Sequence, residues 1–252
     1  MLHPPSKSTT MQFLRRSIVL LALPMLFLAC TSQQINQTLN TVLAGGLTSE
    51  DVGNGLKEAL RQGVQRGVDE LSTDGGYFND LGYRILLPEE ARKVTDRLQN
   101  VPGFTDLEDV IIRKINQGAE DAASKAGPIF VDAIRQMTIQ DAMGILKGDQ
   151  NAATSFLQRA TYQSLYNEFE PVIRTSLDKF DAQKIWGDAA TAYNNFPLTR
   201  NEVNVDLADH VTQRALEGLF QKVALEEANI RQNVSARGSE LLRRVFALQD
   251  GQ

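Results

Sequence analysis

TSEDVGNGLKEALRQGVQRGVDEL, residues 48–71, is the stretch on which the fold turns. Val52, Leu56, Leu60, Val64, Val68 and Leu71 recur at intervals of four, four, four, four and three, which is the period of one helix face and not the alternation of a strand. Thr48 followed by Asp51 has the form of a capping box, so the helix starts there. Gly53, Gly55, Gly63 and Gly67 each cost up to about 1 kcal/mol against alanine in a helix interior, so tertiary packing must hold this helix. The Gly63 to Gly67 spacing would let a second backbone come close.

Working outward, Asp74, Gly75 and Gly76 end that helix, and YRILLP, residues 83–88, reads as extended because the residue before a proline avoids the α region. Pro88 suits the first turn of a helix that ends near Asn100. Thr105 with Glu108 forms a second box before Leu107, Ile111, Ile115, Ala119, Ala122 and Ala126, and Pro128 restarts the helix to Met137. Thr138 with Asp141 forms a third. Gly148 and Asp149 turn the chain into a helix with Tyr162, Tyr166, Phe169 and Ile173 in one stripe, and Pro171 separates it from segments near 172–180 and 182–195. After the loop NFPLTRNEVN, residues 195–204, a long helix runs from Asp206 to about Arg231, and residues 239–246 close the chain. No repeat of fixed period appears. The expected fold is all-α: a single bundle of about eight helices over residues 48–252, with at most a minor extended segment near 83–88.

The N-terminal region has a different character. From Met11, MQFLRRS is followed by twelve apolar residues, Ile18 to Ala29, and then Cys30, the layout of a secretory signal peptide over residues 1–29. Whether translation starts at Met1 or Met11 is open. Twelve residues reach only about 18 Å as a helix, short of a bilayer span, and Pro24 weakens it further. LFLAC, residues 26–30, looks like a bacterial lipobox, with Ala29 in the small position, Leu28 bulkier than usual and the leucine shifted to Leu26. Cys30 is therefore the expected lipid attachment, with a cleaved signal and a free thiol as the alternative. Residues 30–47, rich in Gln, Asn and Thr, read as a flexible tether. Thr31 follows the cysteine where an aspartate would retain similar lipoproteins in the inner membrane, so the expected address is the outer membrane, facing the periplasm; a secreted periplasmic protein is the alternative.

Cys30 is the only cysteine, which excludes an intramolecular disulfide and zinc sites needing two thiolates. The net charge of −5 falls to −8 once Lys7, Arg15 and Arg16 leave with residues 1–29. That acidity argues against nucleic acid as a partner.

GLKEAL from Gly55, ILLP from Ile85, MTIQDAMGILKGDQNAAT from Met137, EEANIRQN from Glu226 and ARGSELLRRVF from Ala236 together resemble an uncharacterised bacterial family of predicted secreted or lipid-anchored proteins, a domain of unknown function. The resemblance runs from about Leu47 to Phe246 and implies a helical periplasmic body. It implies no activity and carries over no functional residue.

Chemistry must be sought residue by residue. His210 with Asp206 at i−4 could offer two metal ligands on one helix face, but two do not make a site, and Asp206 also suits a helix cap. Glu226, Glu227, Arg231 and Arg237 could gather an acid or anion site, although Glu227 to Arg231 is also an i,i+4 pair of the kind that supports a helix by about 0.2 to 0.5 kcal/mol. Asp141 and Glu108 fall at the third residue of capping boxes. Tyr162, Tyr166, Phe169 and Trp186 could line a cavity, though such stripes usually belong to the core. The Asn233 sequon has no expected meaning in a bacterial chain. No HExxH, GxSxG, P-loop or dinucleotide fingerprint is present. No catalytic, cofactor or metal residue is therefore assigned. The expectation is a non-catalytic interaction or envelope-maintenance module with an unknown envelope protein or small ligand as partner; a small-ligand or lipid-binding helical protein and a carboxylate-dependent cell-wall hydrolase are the alternatives.

Overall fold

A computed structural model describes residues 46–179, 181–196 and 202–250. The expected signal peptide, Cys30 and nearly all of the expected tether lie outside these residues. Within them the chain is all-α, with nine α-helices, one short 3-10 turn and no strand. The helices are α1 (Ser49–Leu71), α2 (Glu89–Leu98), α3 (Leu107–Ala123), α4 (Ala126–Gln136), α5 (Ile139–Lys147), α6 (Ala152–Lys179), α7 (Ala182–Asn194), α8 (Leu207–Gln232) and α9 (Glu240–Ala247).

The two longest, α6 and α8, lie against each other at the centre. Helix α3 packs across both, α1 lies along α8, and α4, α5 and α9 flank α1, while α2 packs on α7. The apolar face read in residues 52–71 is buried throughout: Val52, Leu56, Leu60, Val64, Val68 and Leu71 all lie in the core. Its glycines serve close approach. A Cβ at Gly55 would sit 2.8 Å from Val245 Cγ2 on α9, and those at Gly63 and Gly67 would lie 3.3 Å from Glu226 Cβ and Lys222 Cγ on α8. Burial along two neighbouring helices offsets the propensity penalty of this sequence.

Three local expectations need correction. Pro171 does not divide a helix, because α6 runs unbroken through it. The ring sits on the exposed face while Phe169 and Ile173 beside it are fully buried, so packing outweighs the roughly 3 kcal/mol cost of an interior proline. Glu108 does not close a capping box with Thr105: α3 begins after Asp106 without a side-chain cap, and Glu108 instead accepts from the Thr95 hydroxyl at 3.1 Å. The aromatic stripe of α6 is also shifted. Leu157, Thr161, Leu165, Phe169 and Ile173 form the buried row, and Tyr162 stands beside it at the surface.

Residues 84–88 form neither helix nor strand, and Pro88 at their end has extended dihedrals. The side chain of Asn116 takes the place of a strand partner, accepting from Ile85 N–H and donating to Ile85 C=O, both at 2.8 Å. Just upstream, Tyr77 is fully buried and donates to Ala215 C=O at 2.8 Å, while Glu120 accepts from the N–H groups of Tyr77 and Phe78, each at 3.1 Å. Burial raises the Glu120 carboxyl above its usual range, and these backbone donors work against the shift. Segment 77–88 is thereby fixed against α3 and α8 and becomes one wall of the surface described next.

Candidate functional site

The charged residues singled out by the sequence are largely consumed by the fold. Glu227, on the buried face of α8, accepts from Ala153 N–H at 2.9 Å and from Thr154 N–H and Oγ at 2.8 Å. It thus supplies acceptors to the first turn of α6, satisfying donors at a positive helix end. Arg231 donates to the same carboxylate through Nε and Nη2, and further to Ile145 C=O at 2.9 Å and Gln249 Oε1 at 3.2 Å. The i,i+4 spacing is as read from the sequence, but the pair is buried and ties four segments together, so the surface-pair magnitude does not apply.

Arg237 is buried as well. Its guanidinium grips both oxygens of Asp250 at 2.7 Å, caps the carbonyls of Ile230 and Arg231, and lies over the Phe246 ring. The arginine holds the Asp250 carboxyl below its usual range. Glu226 departs from this group and pairs with Arg66 on α1 at 3.3 Å.

Asp206 caps α8, accepting from Ala208 and Asp209 N–H, and pairs with Arg174. Burial disfavours its charge, but those N–H groups and Arg174 outweigh it and hold the carboxyl low. His210 turns elsewhere: its Nε2 lies 2.9 Å from the Leu86 carbonyl and so acts as a donor in that contact. Asp141 makes both bonds of its capping box with Thr138 and is held low by them. Tyr166 donates to Asp209 at 2.5 Å, which pushes its phenol up to about 12. Trp186 is buried and donates to Val205 C=O, and Asn233 donates to Asn229. These residues therefore hold helices together and do not converge on one point.

The open surface lies elsewhere, on the outer face of α8. One depression of about 330 Å³ runs between residues 82–87 and α8, lined on the helix side by His210, Arg214, Glu217 and Gln221. A second, of about 460 Å³, runs between α6 and α8 over Tyr162 and Phe220, with Gln158 and Gln213 at its rim. Arg214, Glu217 and Gln221 line both, so the two are lobes of one groove. The floor of the second lobe is ordered by aromatic packing. Tyr162 and Phe220 are nearly parallel, with ring centres 6.4 Å apart, and Phe130 meets Phe220 edge-on at 5.7 Å from beneath. Tyr162 keeps 37% of its surface exposed.

Of this surface the sequence had drawn attention to Tyr162 as a possible cavity lining, to His210 as a possible metal ligand and to residues 83–88 as a non-helical segment, without bringing them together. The available signal was the polar face of the long helix, where Gln213, Arg214, Glu217 and Gln221 recur at helical spacing. Its weakness is that any solvated helix face looks the same.

A cavity between α1, α6, α8 and α9, beside Glu227 and Arg231, measures about 20 Å³. That volume suits about one water molecule and no acyl chain. No group of three or more potential metal ligands occurs among the described residues, and no helix among them is long and apolar enough to cross a membrane.

No curated protein and no solved structure matches the chain. A family model does, over residues 46–247, a span that takes in all nine helices and the whole groove. The chain thus belongs to the family described as Protein of unknown function (DUF4197).

Proposed function

We propose that this chain is a lipid-anchored helical protein facing the periplasm, held by acyl chains on Cys30, and that it works by binding, with the two-lobed groove over α8 as its contact face. The observation that carries the binding reading is the division of labour among polar side chains. Glu227, Arg231, Arg237, Asp206 and Asp141 are spent on helix caps and on ion pairs that join separate segments, whereas Gln158 and Gln221 face open space beside the solvent-facing Arg214–Glu217 pair. The anchoring reading is supported by the LFLAC segment and the unique cysteine.

The competing readings find less support. The cavity beside Glu227 is too small for a lipid tail. Glycoside hydrolysis usually needs two carboxylates about 5 to 10 Å apart, and Glu217, which lines the groove, is engaged by Arg214.

Two measurements test the proposal. Intact mass of the membrane-extracted protein should correspond to a chain starting at Cys30 with acyl groups added, and Cys30→Ser should leave the membrane fraction; an unmodified thiol would overturn the anchor. A photo-crosslinking side chain placed at Gln221 should capture a specific envelope component in intact cells, while one at exposed Asp178 should not. Equal capture at both positions would overturn the assignment of the face.

A further inference from the structure

We infer that the lobe of the groove between α6 and α8 binds a neutral oligosaccharide, with the Tyr162 ring as its stacking platform. This rests on the reading of the groove as a binding face, and it is independent of how the chain is anchored. Three features of the lobe select this class of ligand.

The first is the floor. A pyranose presents one face of C–H groups carrying slight positive charge, and the face of an aromatic ring carries negative charge, so the two stack. Tyr162 offers such a ring to the lobe, and Phe220, itself backed by Phe130, fixes its tilt before any ligand arrives. A platform that is already ordered loses little freedom on binding.

The second is the rim. Gln158, Gln213 and Gln221 stand around the floor, and the amides of Gln158 and Gln221 make no hydrogen bond among the described residues. A planar amide offers a donor and an acceptor side by side, which matches the paired hydroxyls of a sugar ring or the acetamido group of an amino sugar. Gln213 is tied to Asp209, at 3.1 Å from both carboxylate oxygens, and so forms a fixed part of the wall.

The third is charge. Arg214 and Glu217, which line this lobe, bind one another at 2.5 Å, so they present a paired donor and acceptor with no net charge. A polyanion would meet no unpaired cation in this lobe, and a strongly charged peptide no counter-charge. An uncharged, hydroxyl-rich ligand satisfies both members of the pair. Because Arg214, Glu217 and Gln221 also line the other lobe, along residues 82–87, a chain of several sugar units has room to continue past them.

The experiment uses the purified full-length chain in detergent. Titration by calorimetry and by saturation-transfer NMR takes three probes: a tetramer of β-1,4-linked N-acetylglucosamine, a tetramer of glucose, and an uncharged tetrapeptide. At least one saccharide should bind, with its ring protons shifted upfield by the tyrosine. Binding of the N-acetylated tetramer alone would identify a wall-type glycan as the source, and binding of glucose tetramer a storage-type glucan. Tyr162→Ala should weaken binding by about tenfold or more, Tyr162→Phe should leave it nearly unchanged, and Gln221→Ala should weaken it by several fold. Circular dichroism checks that each variant stays folded; should Tyr162→Ala unfold, Gln158→Ala with Gln221→Ala in one chain gives the same readout from the rim. Binding of the peptide in place of both saccharides, or saccharide binding that ignores all these variants, would overturn the inference. Failure of every probe while crosslinking at Gln221 still captures a protein would reject the sugar and leave the binding face standing.

Discussion

Arg231 and Glu227 meet at 2.8 Å with both side chains less than a tenth exposed, and the same carboxylate holds the first turn of a helix that begins 75 residues earlier in the chain. A pair in that position differs in kind from an i,i+4 pair on a solvated face. Its charge is neutralised at both ends, by a guanidinium and by a helix N-terminus, and removing either partner leaves the other stranded in the core.

Glu227→Ala is therefore expected to destabilise the fold by about 3 to 5 kcal/mol, because Arg231 and two backbone donors of α6 lose their partner together. Chemical denaturation with an unchanged slope and a lower midpoint would be the signature. A loss under 1 kcal/mol would show that water replaces the carboxylate.

The glycines separate into two groups that a substitution series can tell apart. Gly55→Ala forces a Cβ to within 2.8 Å of Val245 Cγ2 and is expected to cost about 1 to 3 kcal/mol through overpacking. Gly144→Ala, on the exposed side of α5 with nothing within 4 Å, should stabilise by up to about 1 kcal/mol. Melting temperatures moving in opposite directions would confirm the contrast.

Asn116 is fully buried and completes both main-chain bonds of Ile85. Asn116→Leu keeps the volume but orphans an N–H and a C=O, so a cost of about 2 to 4 kcal/mol is expected. Amide hydrogen exchange at Ile85 should accelerate more than exchange in the middle of α6, and uniform acceleration would place the effect in global unfolding.

Acid should weaken the fold through Asp141, Asp206 and Asp250. Each is held below the usual carboxylate range by its partners, so each folded-state value lies below the unfolded one. Their stabilisation is complete above the ordinary aspartate value of about 4 and is lost as pH falls through the depressed values. Glu120 has the opposite sign: burial raises its carboxyl, so its ionisation weakens the fold as pH climbs above the ordinary glutamate value. Asp141→Asn should flatten the acid limb of the stability curve, and Glu120→Gln should flatten the limb above it. Unchanged curves would exclude these groups as the source.

The all-α class, the helix Ser49–Leu71, the breaks at Gly75 and Gly148, and the box at Thr138 and Asp141 were all legible without coordinates. They depend on spacing within one or two turns, and the physics that sets them is equally local: which side chains share a face, which donors lack a partner, which residues tolerate a turn. That residues 84–88 stay out of a helix followed in the same way from Pro88.

Tertiary structure alone decided the rest, because the partners lie far apart in the chain. Asn116 reaches Ile85 across 31 positions, Glu227 reaches Thr154 across 73, and His210 reaches Leu86 across 124. No local pattern distinguishes a buried Glu227–Arg231 pair from a solvated one, or a Tyr162 beside the core row from one within it. Burial energy is a property of the completed assembly, and the same physics carries α6 straight through Pro171 and leaves the polar face of α8 open as a groove.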